Sequence, residues 1–256
     1  MNLSFDKKLA DNYTSQSQKI RVLTEDWVDN QIFCPNCGHL NIDKYENNKP
    51  VADFFCSNCK EDYELKSKKE TIGNKLVDGA YHTMIERLQS SNNPNFFLLN
   101  YDLQNFEVLN FFVIPKHFFI PDIIEERKAL SQTARRAGWI GCNILLQSIP
   151  QSGKIFFVKN RQIESKEKIL AKWQKTLFLR KEKEISAKGW LLDIINCIEK
   201  LKNKEFTIDE IYVFESFLSK KHPENKYIKD KIRQQLQILR DRGYLYFISR
   251  GIYKIK

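Results

Sequence analysis

Apolar runs of strand length dominate the first two thirds of the chain. The segments Asn95–Tyr101 and Phe106–Pro115 predict two paired strands joined by a short polar connection, and Lys154–Val158 predicts another buried strand. Asp78–Leu88 has apolar residues at helical spacing, and Ser165–Leu177 is a charged helical stretch. This mixture predicts an α/β (α+β) domain built on a mixed sheet.

A charge-rich segment, Arg180–Lys188, separates this region from a mainly helical last third, and we interpret it as a linker. A helix is predicted over Gly189–Leu201. Thr207, followed three residues later by Glu210, is the capping-box pattern that opens a second helix.

The end of the chain predicts a third helix and a hairpin. The helix over Lys229–Arg242 stops at Gly243, as a C-cap glycine would make it. Tyr244–Ile248 and Gly251–Ile255 then predict two strands that pair across the Ser249-Arg250 connection. Three helices followed by a two-stranded wing are typical of a winged-helix domain.

The composition is that of a folded, basic protein. Its 256 residues are 42% hydrophobic and 29% charged, enough for the two domains that we expect at 1–182 and 183–256. The formal net charge of +10 favours a polyanion such as nucleic acid, although many soluble proteins are simply basic. The first residues lack the apolar core of a signal peptide, and no apolar run has the length of a membrane span. We therefore expect a cytoplasmic protein that does not associate with a membrane. We also expect a monomer that needs no obligate protein partner.

Four of the six cysteines form two C-x-x-C pairs, Cys34 with Cys37 and Cys56 with Cys59. Cytoplasmic thiols stay reduced, so tight cysteine pairs point to a metal rather than to disulfides. One pair alone would leave a redox motif open, but two pairs with this separation predict a four-thiolate zinc site. Because four protein ligands close the coordination sphere, the predicted zinc is structural. Cys142 and Cys197 lie in apolar surroundings and Trp190 lies on the apolar stripe of its helix, so these three are predicted to be core residues. Trp27, which follows the helix-start pattern Thr24-Glu25-Asp26, is also predicted to be in the core.

Two strand-like segments, Val51–Phe55 and Asp62–Lys66, flank the second cysteine pair. Strand alternation puts Glu64 and Lys66 on one face, and Asp53 lies beside Glu64 if the two strands pair antiparallel. Two carboxylates suit a hard divalent cation such as Mg²⁺, and the lysine can orient an attacking water or stabilise charge as it attacks. The set suits phosphodiester hydrolysis, although the same spacing also occurs in ordinary charged strands.

The sequence resembles two nested groups of nucleases. Asp53 and Glu64-Leu65-Lys66 match the motif of the PD-(D/E)XK nuclease superfamily, although Pro50 does not directly precede Asp53 here. Along the whole chain the sequence resembles the DpnI-type methyl-directed restriction endonucleases. The segments that carry this likeness are Val22–Val28, CPNCG, ENNKPVADF, ELKSKK, NNPNFF, TARRAGWIGCNI and IRQQLQILRD.

This resemblance implies a type II restriction endonuclease with a restriction-endonuclease-like core, which cleaves double-stranded DNA at GATC sites that contain methylated adenine. It implies Asp53, Glu64 and Lys66 as the active site, with magnesium held by Asp53, Glu64 and the Leu65 carbonyl, and zinc held by the four cysteines. Strand alternation turns the Leu65 side chain into the core. Two alternatives stay open: a nuclease of different specificity, and a non-catalytic zinc-knuckle, winged-helix regulator, which would not require the catalytic set.

Candidate DNA contacts lie on the third predicted helix and the wing. Ile232, Leu236 and Leu239 form an apolar stripe that is expected to be buried. The opposite side of the helix is then expected to enter the major groove, and the alternative is that it is simply a solvated face. That side offers Lys229, Arg233, Gln234 and Gln237, of which arginine and glutamine suit base edges. The side chains expected at phosphates are Lys226, Lys231 and Arg250.

A methyl group in the groove needs an apolar wall. Trp139 stands beside Arg135 and Arg136 in a glycine-flanked segment and is the best candidate, a buried tryptophan being the alternative. Thr24-Glu25-Asp26 has the pattern of a helix start. We expect an early helix from which Glu25 or Gln18 would assist the metal.

Overall fold

The computed structural model describes residues 1–46, 52–90 and 93–256. Parts of four features named above lie outside the described residues. These are Val51 of the predicted strand, Pro50 of the motif comparison, residues 47–51 of the ENNKPVADF segment, and Asn92 of the NNPNFF segment. Within the described residues, no helix is both long and apolar enough to cross a membrane.

The chain divides into two compact units. The N-terminal unit comprises residues 1–147 and 152–174, and the C-terminal unit comprises residues 148–151 and 175–256. The domain boundary after residue 182 stays a prediction.

The N-terminal unit contains ten strands and three α-helices in its described part. The strands are β1 (Asp43–Lys44), β2 (Phe54–Phe55), β3 (Asp62–Lys69), β4 (Lys75–Ala80), β5 (Asn95–Asp102), β6 (Glu107–Ile114), β7 (Ile124–Glu126), β8 (Gly141–Leu145), β9 (Ile155–Lys159) and β10 (Gln162–Ile163). The helices are α1 (Gln16–Gln31), α2 (Tyr81–Gln89) and α3 (Lys166–Thr176). Short 3₁₀ turns cover Lys7–Ala10, Lys116–Phe118 and Pro121–Ile123 of this unit, and Leu146–Ser148 and Gln151–Gly153 at its boundaries in the chain; a further turn, Leu177–Lys181, belongs to the C-terminal unit.

A seven-stranded mixed sheet forms the centre of this unit, in the order β1-β2-β3-β5-β6-β9-β10. The β3–β5 pair is parallel and the other five pairs are antiparallel. The predicted β5–β6 pair and the predicted strand β9 are confirmed. Aromatic rings fill the core of the sheet. The ring centroid of Phe97 lies 4.5 Å from that of Tyr63, on which it stacks, and 5.1 Å from that of Phe111. Trp27 of α1 meets Phe111 edge-on, with 5.2 Å between the ring centroids. The predicted core position of Trp27 is confirmed.

A second sheet of three antiparallel strands has the order β4-β8-β7. Its first strand corrects the prediction of a helix from Asp78, because the chain is extended through Ala80 and the helix begins at Tyr81. Leu76 and Asp78 are buried while Lys75, Val77 and Gly79 are exposed, which is the two-residue period of a strand. Pairing with β8, more than sixty residues away in the chain, overrides the local helical spacing.

Helix α1 begins at Gln16, after Ser15, rather than at the predicted start around Thr24. Thr24 lies inside the helix, where its hydroxyl donates to the Ile20 carbonyl at 2.9 Å. A threonine hydroxyl bonded to the carbonyl four residues back is compatible with a helix interior, so this residue did not mark a cap.

The C-terminal unit has four helices and a three-stranded sheet. Its elements are α4 (Ile185–Lys200), β11 (Glu205–Thr207), α5 (Ile208–Tyr212), α6 (Glu215–Lys221), α7 (Ile228–Asp241), β12 (Leu245–Ser249) and β13 (Ile252–Ile255). The sheet order is β11-β13-β12. The structure differs from the prediction in three ways. Helix α4 starts inside the segment interpreted as a linker, the second helix is split into α5 and α6, and β11 adds a third strand to the wing.

Both predicted end signals of the helices in this unit are confirmed. The Thr207 hydroxyl accepts from the Glu210 amide, and the Glu210 carboxylate accepts from the Thr207 amide at 2.6 Å. After α7, Gly243 has a φ of +73°, and the Gly243 and Tyr244 amides donate to the Arg240 and Leu239 carbonyls. These paired bonds form a Schellman motif, which requires the left-handed conformation that glycine adopts most easily.

The core of the C-terminal unit uses the predicted residues. Trp190 and Cys197 of α4 are buried, as are Ile232, Leu236 and Leu239 of α7. The hairpin of β12 and β13 is also confirmed, although it turns at Arg250-Gly251 rather than at Ser249-Arg250.

Candidate active site and zinc centre

The four cysteine sulfurs of the predicted zinc site lie within 4.8 Å of one another. Cys34 Sγ is 3.5 Å from Cys59 Sγ, and Cys37 Sγ is 3.6 Å from Cys56 Sγ. A disulfide would bring two sulfurs to about 2.05 Å. Tetrahedral zinc with bonds of about 2.3 Å separates its sulfur ligands by about 3.8 Å. The cluster therefore has the chemistry and spacing to hold zinc. The other two cysteines, Cys142 and Cys197, are buried and outside the cluster, as predicted.

The two C-x-x-C turns share one backbone pattern. In the first, the Gly38 amide donates to the Cys34 carbonyl at 2.8 Å, and the Cys34 amide donates to the His39 carbonyl at 2.9 Å. In the second, Lys60 and Glu61 take the places of Gly38 and His39 with the same distances. Gly38 and Lys60 have φ values of +77° and +58°. The second turn thus adopts the left-handed conformation without a glycine.

Hydrogen bonds surround the sulfurs. The Tyr63 hydroxyl lies 3.2 Å from Cys34 Sγ, inside the core. Burial raises the pKa of Cys37, but hydrogen bonds, foremost from the Asn58 side chain and the His39 backbone, outweigh it and lower that pKa to about 7. Burial raises the pKa of Cys34. A cation bound to the sulfurs would offset the cost of the buried thiolate.

The second cysteine turn connects β2 to β3, the hairpin that carries the candidate catalytic residues. In this antiparallel pair Phe54 faces Tyr63 and Phe55 faces Asp62. Asp53 lies at the bend just before β2, and its amide donates to the Tyr63 carbonyl at 3.0 Å. The antiparallel pairing assumed for the sequence is therefore present, although β2 is shorter than expected.

The Asp53 carboxylate is fixed against β3, where its Oδ2 accepts from the Leu65 amide at 2.7 Å. The amide and carbonyl of one strand residue point to the same edge of the strand, so the Leu65 carbonyl faces the edge where Asp53 lies. Burial raises the pKa of Asp53, although the Leu65 hydrogen bond and the charges of Lys66 and Arg21 act against this.

Glu64 and Lys66 lie on one face of β3, and Lys66 Nζ is 2.5 Å from Glu64 Oε1. Arg87 of α2 is 3.7 Å from the other carboxylate oxygen, Oε2. That oxygen is buried and has no hydrogen-bond partner among the described residues. Burial raises the pKa of Glu64, against the effect of the Lys66 charge. Burial acts to lower the pKa of Lys66, but the carboxylates beside it raise the pKa well above that of a free lysine.

Asp78 belongs to this cluster and was not predicted. Its Oδ1 is 2.5 Å from Lys66 Nζ and accepts from the Gly79 amide at 2.8 Å. The sequence signal was an acidic residue at an inward position of an alternating segment, which the helical interpretation of Asp78–Leu88 concealed.

Asp53 also borders a cavity of about 510 Å³ between α1 and β3, whose lining includes Glu25, Leu65, Ser67 and Tyr101. The half-buried Leu65 side chain lines this cavity, which corrects the expectation that it packs in the core. Glu25 is buried and ion-paired with Arg21 at 2.6 Å and with Lys44 at 2.7 Å. Gln18 is exposed and is not among the lining residues.

Trp139 lies in the loop between β7 and β8. The Arg136 guanidinium stacks over its ring at 4.5 Å, Arg135 and Arg136 are exposed, and the indole itself is half-buried. A Cβ atom at Gly141 would lie 2.8 Å from the indole, so the ring can occupy this position only because residue 141 has no side chain. The loop thus presents two exposed cations and a half-buried aromatic ring.

The predicted DNA contacts of the C-terminal unit are exposed except for Lys231, which is half-buried. Lys229, Arg233, Gln234 and Gln237 lie on the side of α7 opposite its buried stripe, and Arg250 lies at the tip of the wing. Two of the α7 cations have acidic neighbours: Arg233 is 3.0 Å from Asp230, and Lys229 is 3.5 Å from Glu215. Such exposed pairs hold their partners weakly, so these cations remain open to a polyanion.

Two family models match this chain. The model described as DpnI, the Dam-replacing family, matches residues 1–182. The model described as the Dam-replacing HTH domain matches residues 186–255, which span α4 to β13. The resemblance to the DpnI-type family inferred from the sequence is thereby confirmed. With the mixed sheet, the four-cysteine cluster and the helix-turn-helix region on the same chain, this protein belongs to the DpnI family of Dam-replacing proteins.

Proposed function

We propose that this protein is a metal-dependent endonuclease that cleaves double-stranded DNA at GATC sites containing methylated adenine. One observation carries the nuclease proposal. The β2–β3 hairpin holds the Asp53 carboxylate on the Leu65 amide, while the residues on either side of Leu65 form the Glu64–Lys66 ion pair. Two carboxylates and a lysine at adjacent positions of one hairpin suit phosphodiester hydrolysis.

The donor groups fit a hard divalent cation such as magnesium. Asp53, Glu64 and the Leu65 carbonyl offer oxygen ligands only, which is what magnesium prefers. Glu64 Oε2, which has no hydrogen-bond partner within the part of the chain that the structure describes, supports this assignment, because buried polar atoms are rarely left without one. The bound cation would stabilise charge on the scissile phosphate and lower the pKa of a water molecule.

The chain's own residues have distinct roles in this proposal. Asp53 and Glu64 orient the cation, and the Leu65 amide keeps the Asp53 carboxylate from rotating away. Lys66 stays protonated beside two carboxylates, so it acts as a fixed positive charge and hydrogen-bond donor for the attacking water or the phosphate rather than as a base.

Zinc is proposed to hold the geometry of the hairpin. The Cys56–Cys59 turn joins β2 to β3, and Tyr63 links the cluster to the strand of Glu64. Thiolates bound to zinc would therefore set the register of the two strands and the position of Asp53 relative to Glu64. Because all four ligands come from the chain, zinc has no open position for substrate.

DNA recognition is proposed for both units. The helix-turn-helix match points to DNA binding by the C-terminal unit, where Arg233, Gln234 and Gln237 offer groups that suit base edges and Lys229 and Arg250 suit phosphates. In the N-terminal unit, Trp139 with Arg135 and Arg136 would contact the adenine methyl group and the backbone near it. Family membership supports the choice of methylated GATC as the target.

The test uses one plasmid prepared with and without adenine methylation at GATC. Each form is incubated with the full chain and magnesium, with Asp53→Ala as the matched variant and with chelator as a further control. We expect cleavage of the methylated plasmid alone, and none with the variant or the chelator. Cleavage of both plasmids would contradict the methyl specificity. DNA binding without cleavage would favour the non-catalytic regulator instead.

A further inference from the structure

The second sheet of the N-terminal unit contributes one side chain to the candidate site. Strand β4 carries a bulge at Asp78–Ala80, where Asp78 pairs with Cys142 of β8 and Ala80 pairs with Gly141. A bulge changes the direction in which a strand presents its side chains, and bulges are common beside active sites. Here the Asp78 side chain is turned inward and is 4% exposed.

The contacts of Asp78 are aimed at Lys66. Its Oδ1 accepts from Lys66 Nζ at 2.5 Å, and the Gly79 amide holds the same oxygen at 2.8 Å. Its Oδ2 is buried without a hydrogen-bond partner in the described part of the chain. Lys66 Nζ therefore lies between a carboxylate of β3 and a carboxylate of β4, which belong to different sheets.

The ammonium group of a lysine sits at the end of a flexible four-carbon chain, so contacts with other side chains have to fix its position. Glu64 is two residues away on the same strand and, as a proposed cation ligand, has to share its oxygens with the metal. A second carboxylate from a separate element would keep the ammonium group in place when Glu64 turns to that cation. Among the described residues, Asp78 is the acidic residue of another strand that contacts Lys66 Nζ and can have this role.

We propose that Asp78 is a positioning residue of the endonuclease site, which holds the Lys66 ammonium group at the place where it meets the scissile phosphate or the attacking water. The inference rests on the proposed nuclease function. It adds a residue from the β4-β8-β7 sheet to a set that otherwise comes from the β2–β3 hairpin.

The simpler alternative is that Asp78 only stabilises the fold as half of a buried ion pair. The two roles differ in how Asp78 and Lys66 depend on each other. If Asp78 acts through Lys66, its removal has no further effect on cleavage once Lys66 is gone, because residues that act as a unit are non-additive. A carboxylate that acts independently of Lys66 would lower the rate by the same factor in both backgrounds. Half of a purely structural ion pair would lower the melting temperature and the DNA affinity together with the rate.

The experiment is a double-mutant cycle with Asp78→Asn and Lys66→Ala in the full chain. Single-turnover cleavage constants are measured on methylated plasmid, DNA affinity is measured with calcium in place of magnesium, and folding is followed by thermal melting. We expect Asp78→Asn to lower the cleavage constant about 10- to 100-fold, as loss of a supporting contact does elsewhere, with DNA affinity unchanged. In the Lys66→Ala background it should change the constant less than twofold.

Two further variants keep the test decisive. Asp78→Glu retains the charge and should recover part of the lost rate, and it replaces Asp78→Asn in the cycle if the latter does not fold. Glu125→Gln, on β7 of the same sheet, removes an exposed carboxylate bonded to Lys75 and Asn143 and should leave cleavage unchanged.

The outcomes separate the two proposals. A wild-type rate for Asp78→Asn, or an equal loss in both backgrounds, would overturn the role of Asp78 while leaving the nuclease proposal standing. Wild-type protein that cleaves no DNA would overturn the nuclease proposal itself, and the role of Asp78 with it.

Discussion

The Tyr63 hydroxyl lies 3.2 Å from the sulfur of Cys34, and the backbone carbonyl of the same tyrosine accepts the amide of Asp53 at 3.0 Å. One buried residue of β3 thus contacts the four-cysteine cluster with its side chain and the candidate active site with its main chain. Its ring stacks on Phe97 with an interplanar angle of 5°, which fixes both contacts in the core.

Tyr63→Phe should weaken zinc retention while leaving the fold intact. The substitution removes the hydroxyl near Cys34 but keeps the ring that stacks on Phe97. Loss of a hydrogen bond to a metal ligand typically costs 10- to 100-fold in metal affinity or activity. We expect zinc to pass to a chromogenic chelator at least about 10-fold faster. The matched control is Tyr45→Phe, which removes a hydroxyl that donates to Asp62 on the same hairpin. This variant should release zinc at the wild-type rate.

Cys56→Ser should impair cleavage by disordering the β2–β3 hairpin. A cysteine lost from a structural zinc site removes free energy that the metal contributes to folding, on the order of 4 kcal/mol. For a protein of this size that corresponds to a fall of roughly 10 °C in the melting temperature. Zinc content, melting temperature and cleavage should fall together. Cys197→Ser, a buried cysteine outside the cluster, should keep its zinc. A fully active, zinc-free Cys56→Ser protein would show that zinc is a bystander.

Asp53→Asn should stabilise the metal-free protein at neutral pH while abolishing cleavage. Burial raises the pKa of Asp53 in the folded state, so the ionised form is less favourable there than in the unfolded chain. This cost is absent below the ordinary pKa of the carboxyl, grows as the pH rises past it, and is fully present above the raised pKa. Asparagine still accepts from the Leu65 amide but carries no charge.

Melting curves at pH 7 check this sign. With chelator, Asp53→Asn should melt above wild type. With magnesium at 100 times its dissociation constant, wild type should gain about 2.7 kcal/mol from binding, and the variant should gain nothing. A lower melting temperature of the variant with chelator would mean that the Asp53 charge stabilises the fold, contrary to the burial argument.

Gly141→Ala should reduce the preference for methylated DNA. The added Cβ would lie 2.8 Å from the Trp139 ring and would displace the indole from its place beside Arg136. We expect the ratio of cleavage rates on methylated and unmethylated plasmid to fall at least about 10-fold, which corresponds to 1.4 kcal/mol of lost discrimination. Gly73→Ala is the control, because no atom lies within 4 Å of its added Cβ. An unchanged ratio would exclude Trp139 as the methyl contact.

Arg233→Ala should weaken DNA binding by the C-terminal unit. Arg233 is exposed on α7, and its pair with Asp230 at 3.0 Å is too exposed to hold it from DNA. A lost arginine contact to a base edge costs about 1–3 kcal/mol and relaxes specificity at that position. Fluorescence anisotropy on target and altered duplexes measures both effects. Arg240→Ala, next to Asp241 at the end of the same helix, is the matched control. An equal loss of affinity in the two variants would indicate that Arg233 contributes only its positive charge and makes no contact with a base.

Local chemistry determined the parts of the fold that sequence patterns predicted correctly. Strands β5, β6 and β9 are rich in apolar residues, and the capping box at Thr207 and the glycine at 243 act within one turn of their helices. The cysteine cluster follows from two tight pairs, because each pair already brings two sulfurs to one turn of the backbone. The family was recognisable from residue identities, and the family models confirm it. The catalytic roles of Asp53, Glu64 and Lys66 stay predictions.

Tertiary structure decided what depended on partners far away in the chain. Residues 75–80 form a strand because β8 pairs with them, although their continuation has helical spacing. Glu205–Thr207 becomes a strand because β13 offers an edge about fifty residues later. The Leu65 side chain borders a cavity because α1 lies across that face of β3 and leaves space between the helix and the strand.

Asp78 shows the difference most clearly. The sequence by itself placed a lysine two residues from a glutamate on one strand, since a two-residue period brings such side chains to the same face. Only the packing of the second sheet against β3 brought Asp78 to 2.5 Å from that lysine. A strand's period is a property of the backbone and is visible locally, whereas the meeting of two sheets depends on every contact that holds them together.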